Sequence, residues 1–97
     1  MVMQTVKRLK SGGGMKVSYT DSSARNSTII SGSAALGLFS TTDCYIKLGG
    51  STVEASSTDY DMMLPAYIMR DVETSGAGYI AAVRVSASGD LHITQFE

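Results

Sequence analysis

Few residues in this chain can do chemistry, and their spacing limits what they could do. His92 is the single histidine, and Ser and Asp are abundant, so the raw materials of a Ser–His–Asp set are present. No Gly-x-Ser-x-Gly elbow occurs, and His92 sits beside Thr94 in a late extended stretch, so it reads as a surface or interface histidine. Cys44 is the single cysteine. One Cys and one His fall short of the ligand set of a zinc site. Asp59-Tyr60-Asp61 brings together two carboxylates, fewer oxygen ligands than calcium takes. It reads as a solvated acidic turn, as does Asp21-Ser22-Ser23. Ser11-Gly12-Gly13-Gly14 lacks the Gly-Lys-Ser/Thr ending and the following helix of a phosphate loop. The expectation is no catalytic residue, no metal site and no cofactor.

Two groups remain as candidates for protein interaction. Lys7, Arg8 and Lys10 form a small basic cluster. Ordinary solvation accounts for it, and contact with an acidic protein surface or packaged nucleic acid is the sharper reading. Met62, Met63 and Met69 form a soft apolar group around Pro65. Core filling is one role for them; adaptable packing against another subunit is the other.

Composition bounds the rest. The 97 residues suffice for one domain, and a β domain this short leaves much of its surface exposed. Lys+Arg number 8 against Asp+Glu 9, a net charge of -1, which argues against a protein dedicated to nucleic-acid phosphates. Hydrophobic residues at 43% suit a globular fold, while charged residues at 18% fall below the usual share of about a quarter. Ser and Thr fill the polar positions, giving a weakly self-repelling surface that tolerates close neighbours. No apolar run approaches the ~20 residues of a membrane span. Lys7, Arg8 and Lys10 follow the first mixed stretch rather than precede an apolar core, which is the wrong order for a secretory signal. Cys44 lies on the apolar side of its stretch and reads as a small buried hydrophobe; a reducing compartment is consistent with it.

Alternation sets the elements. In Thr42–Gly50, Cys44, Ile46 and Leu48 fall on one side and Asp43, Tyr45 and Lys47 on the other, the mark of a half-buried strand. Further strands are expected over Met15–Thr20, Asn26–Ser31, Ala34–Phe39, Ala66–Val72, Tyr79–Ser86 and Leu91–Phe96. The last two are expected to pair as a hairpin across Ser88-Gly89-Asp90. Ser51–Asp59 reads as a hydroxyl-rich surface loop, and Pro65 excludes a central strand position near Met62-Met63-Leu64. Residues 1–14 read as an N-terminal arm with a glycine hinge, packed locally or reaching a neighbouring subunit, and residues 15–97 as the β domain. Turns recur every 8–12 residues or so without any sustained helical period. The fold class is therefore all-β, an antiparallel β-sandwich of jelly-roll-like architecture or a small barrel.

Thr42-Asp43-Cys44-Tyr45-Ile46-Lys47-Leu48-Gly49, a Ser/Thr-rich loop, the step Leu64-Pro65-Ala66 and the strand pair Tyr79–Ser86 and Leu91–Phe96 occur in that order. Together they resemble the small structural proteins of tailed-bacteriophage particles, over about the C-terminal three-fifths of the chain. Tyr67-Ile68-Met69 departs from that pattern, which usually has a Gly and an aromatic there. The resemblance implies a non-enzymatic virion component, assembled in the host cytoplasm. Its partners would be the major capsid protein or other virion proteins, and self-association, for example as a trimer, is expected. Capsid decoration or cementing is the leading role, and a tail, neck or baseplate position is the second. A carbohydrate-binding module for host attachment is the alternative from another class. Against it stands the absence of Trp, with 5 Tyr and 2 Phe; Tyr45 and Tyr60 are the residues that would test it.

Overall fold

The computed structural model describes residues 8–31, 35–74 and 76–96. Among these residues the regular structure is entirely strand: β1 (Met15–Tyr19), β2 (Ala24–Arg25), β3 (Ala35–Ser40), β4 (Cys44–Gly49), β5 (Met62–Leu64), β6 (Arg70–Glu73), β7 (Tyr79–Arg84) and β8 (Gly89–Phe96). They form two four-stranded sheets, ordered β1-β8-β3-β6 and β2-β7-β4-β5, and every pairing is antiparallel. The first four strands pair with the last four in reverse order: β1 with β8, β2 with β7, β3 with β6, β4 with β5. The sheets pack face to face as a β-sandwich, as the alternation requires.

Strand alternation fills the space between the sheets. Val17, Tyr19, Leu36, Leu38, Leu91 and Ile93 project from the first sheet against Cys44, Ile46, Leu64, Ile80 and Ala82 of the second. Each fully buried Leu or Ile contributes about 1.5–3 kcal/mol relative to exposure. Tyr19 brings a polar tip into this layer, and its hydroxyl lies 2.7 Å from both the carbonyl oxygen and the Oγ1 of Thr42. Cys44 is fully buried, as its place on the apolar side of β4 predicts.

Three local expectations are corrected. Asn26–Ser31 is not a strand, and β2 stops at Arg25. The buried Asn26 side chain takes over the backbone bonding: Nδ2 donates to the carbonyls of Thr28 and Gly78, and Oδ1 accepts from the Ile80 N–H. Ala66–Val72 is extended only from Arg70, because Tyr67 has φ 61° and breaks the run. Met62–Leu64 forms an edge strand on β4, in keeping with the exclusion of a central position by Pro65. The last two strands do not form a hairpin. β7 pairs with β2 and β4, β8 pairs with β1 and β3, and the connection passes from one sheet to the other. Gly89 is a packing glycine there: a Cβ on it would lie 2.7 Å from Thr41 Oγ1 and 2.9 Å from the Tyr19 hydroxyl.

The glycine run near the N-terminus is folded onto β8. Leu9 bridges to Phe96, the Lys10 N–H donates to the Gln95 carbonyl, and Gly12 turns the chain at φ 69°. Gln95 Nε2 then donates to the Gly13 carbonyl at 2.9 Å. Residues 8–14 are thus packed in cis. The rest of the expected arm, Lys7 included, lies outside the described residues.

Candidate interaction surface

The outer faces of the two sheets are treated differently. On the second sheet, residues 50–61 lie over β4 and β7. Ala55 and Val53 pack on Ala81, Val83 and Tyr45. The segment is fastened along its length: the Ala55 N–H donates to Ser23 Oγ, Lys47 Nζ reaches Asp59 at 2.7 Å, and Asp61 Oδ2 accepts from the Leu48 N–H at 2.9 Å. The Tyr60 ring rests on Tyr45, centroids 4.5 Å apart. Both carboxylates of Asp59-Tyr60-Asp61 are therefore occupied in holding this segment, and among the described residues no cluster of metal-ligating side chains forms.

The first sheet carries apolar groups outward. Leu36 and Leu38 of β3 point inward, so Ala35, Gly37 and Phe39 point outward. Phe96 of β8 is paired with Ala35, and its ring lies over Gly37, 3.2 Å from where a Cβ would stand; Met69 Sδ is 3.4 Å from the same point. Tyr67 meets Phe39 edge to face at 6.0 Å. Tyr67, Ile68 and Met69 are three consecutive large apolar residues at 69%, 44% and 56% exposure, and Leu9 beside Phe96 is at 65%. Single exposed apolar residues are ordinary; a contiguous group marks a contact surface.

The backbone beneath this group is strained in one place. A tyrosine at φ 61° occupies the left-handed region, which costs a bulky residue roughly 1–3 kcal/mol. The β3–β4 corner holds it there. The Ser40 carbonyl accepts from the Tyr67 N–H at 2.8 Å, and Asp43 Oδ1 accepts from the Ala66 N–H at 2.7 Å. The result is an aromatic ring presented to solvent from a fixed support. Charges frame the patch: Asp71 pairs across from Gly37, Glu73 from Ala35, and Lys16 and His92 continue the Phe39 row.

The structure separates the residues singled out in the sequence. Met69 belongs to the patch. Met63 is exposed on β5, opposite Tyr45 on the other sheet, and Met62 turns inward against the core. Lys10 is tied to the Ser31 carbonyl through Nζ, and Arg8 is exposed. His92 has Lys16 and Phe39 as cross-strand neighbours, so those positions supply neither a nucleophile nor an orienting carboxylate. Burial pushes the Cys44 thiol up from its ordinary value and the Tyr19 hydroxyl likewise, keeping both groups neutral. Phe39, Tyr67 and Phe96 escape a search for chemistry because none is reactive. Their signal was Ala35-Leu36-Gly37-Leu38-Phe39, apolar on both faces, in a sheet that needs only one covered. Scanned against protein-family models, curated proteins and solved structures, the chain matches none of them.

Proposed function

We propose that this chain is a non-enzymatic structural component of a tailed-phage particle, decorating and cementing the capsid by docking the outer face of its first sheet. The observation that carries the reading is the apolar group Phe39, Tyr67, Met69 and Phe96, left open on one sheet while the other is roofed by its own loop. Burial of such a group against a partner supplies the favourable free energy, and its mixed-charge rim sets the orientation. Repetition by symmetry then multiplies a modest contact into resistance to shell dissociation.

The strand order supports the same reading. We read β1-β8-β3-β6 facing β2-β7-β4-β5 as a jelly roll, a fold used by viral capsid domains and also by lectins. That support is analogy at the level of fold. The partner is the major capsid protein or a second virion protein, and copies of the chain self-associate around a symmetry axis, a trimer being one such arrangement. A neck, tail or baseplate position uses the same surface.

Labelled antibody against the chain, applied to phage particles produced by its source, tests this. Label at regular positions on the head supports cementing, and label at the neck or tail moves the site within the particle. Particles without label refute the reading.

A further inference from the structure

The outer face of the second sheet carries a groove of its own, and its reading does not rest on the proposal above. Strand register decides which side chains reach it. Ala24 pairs with Ala82 and both pack on the core, so Arg25 and its partner Ala81 face outward. Tyr79, two residues before Ala81 on β7, shares that face, diagonal to Arg25 and within reach of a long side chain. Ser51 approaches from the turn that the Val53 N–H closes on the Gly50 carbonyl, next to Gly49, the cross-strand partner of Tyr79. Ser27 follows Asn26, whose amide ties Thr28, Gly78 and Ile80 and so fixes the backbone on either side of it. Arg25, Asn26, Ser27, Ser51 and Tyr79 line a shallow groove of about 420 Å³.

The chemistry of this groove is one-sided. Its lining carries one formal charge, the Arg25 guanidinium, with three hydroxyls able to donate beside it. The Asn26 amide is turned inward to backbone groups. Arg25 makes no hydrogen bond or ion pair among the described residues. Of the carboxylates on residues 50–61, Asp59 is held by Lys47, Asp61 by the Leu48 N–H, and Glu54 lies outside the lining. A cation entering here meets like charge and no counter-charge. A group with several strong acceptor oxygens meets a fork of N–H donors and hydroxyls arriving from three separate stretches of chain.

We propose that this groove binds a tetrahedral oxyanion, a phosphate or sulfate group. Arg25 holds it through charge-assisted hydrogen bonds, and the hydroxyls of Ser27, Ser51 and Tyr79 donate to its remaining oxygens. The docking face of the other sheet stays free while the groove is filled.

The test is backbone amide NMR of the full chain during titration with sodium phosphate, sodium sulfate, methyl phosphate, sodium acetate and methylammonium chloride, at ionic strength held constant with sodium chloride. The expected result is saturable shifts with phosphate and sulfate centred on Arg25, Ser27, Ser51 and Tyr79, weaker ones with acetate and none with methylammonium. Methyl phosphate binding as tightly as the inorganic ion assigns the site to a phosphate group carried by a larger molecule; its exclusion assigns the site to the free ion. Arg25→Gln weakens phosphate binding by about tenfold, whereas Arg70→Gln, the same charge change on β6 of the first sheet, leaves it unchanged. Tyr79→Phe, which removes only a hydroxyl, weakens it severalfold. Shifts that do not saturate, acetate binding more tightly than phosphate, or equal weakening by Arg25→Gln and Arg70→Gln would each overturn the assignment.

Discussion

The Tyr67 ring packs edge-on against Phe39, 6.0 Å between centroids and 61° between planes, although its backbone sits in the left-handed region at φ 61°. Two independent hydrogen bonds hold that backbone, from the Ala66 and Tyr67 N–H groups to Asp43 and Ser40. A fold that needed only a turn here would favour glycine or asparagine. Those two bonds and the contact with Phe39 offset the strain.

Replacing Tyr67 separates the two roles. Tyr67→Gly relieves the left-handed strain while losing the ring contact, so stability changes by less than about 1 kcal/mol. Tyr67→Val puts a β-branched residue at the same φ and lowers stability by at least ~1 kcal/mol. Urea denaturation midpoints measure both, and a glycine variant much less stable than the valine variant contradicts the account of strain.

Asn26→Ala removes a buried amide that serves three backbone groups, at Thr28, Gly78 and Ile80. Leaving the Ile80 N–H unpaired in the interior costs about 1–3 kcal/mol. The chemical denaturation midpoint should fall with an unchanged slope. A midpoint within experimental error of the parent means that the segment can re-pair as the strand its β-branched residues suggest.

Gly89→Ala tests the crossing between sheets. The added methyl group meets Thr41 Oγ1 and the Tyr19 hydroxyl in a rigid corner, and overpacking of this kind costs roughly 1–3 kcal/mol. In a surface hairpin the same change would be almost neutral. Thermal unfolding of the variant decides between the two.

Burial raises the values of Cys44 and Tyr19, and the sign follows from linkage. At alkaline pH the unfolded chain releases these protons first, so it binds fewer than the native state and stability falls as pH rises. The decline begins near the ordinary thiol range, roughly pH 8.5, and steepens through the phenol range, roughly pH 10. Cys44→Ala should flatten the first part of the curve while lowering stability overall. Native Cys44 should also react with a thiol reagent at neutral pH far more slowly than the urea-unfolded chain; equal rates would contradict its burial.

The fold was legible wherever one face of a strand is apolar and the other polar. Cys44, Ile46 and Leu48 against Asp43, Tyr45 and Lys47 gave β4 and its inward side. Legibility failed where side chains replaced backbone partners, as Asn26 does, or where the backbone left the extended region, as at Tyr67. It also failed at Ser88-Gly89-Asp90, because local turn residues say nothing about which sheet receives the next strand. Of the interaction candidates, Met69 alone was placed in the patch. The aromatic residues around it come from three separated stretches, and their assembly depends on the pairing of β3 with β6 and β8.

Imaging of the intact phage particle at subunit resolution tests the central claim most directly. The account predicts copies of this chain at symmetry-related positions, with Phe39, Tyr67, Met69 and Phe96 buried against another virion protein. Particles that lack the chain, or copies whose first sheet faces solvent, would contradict it.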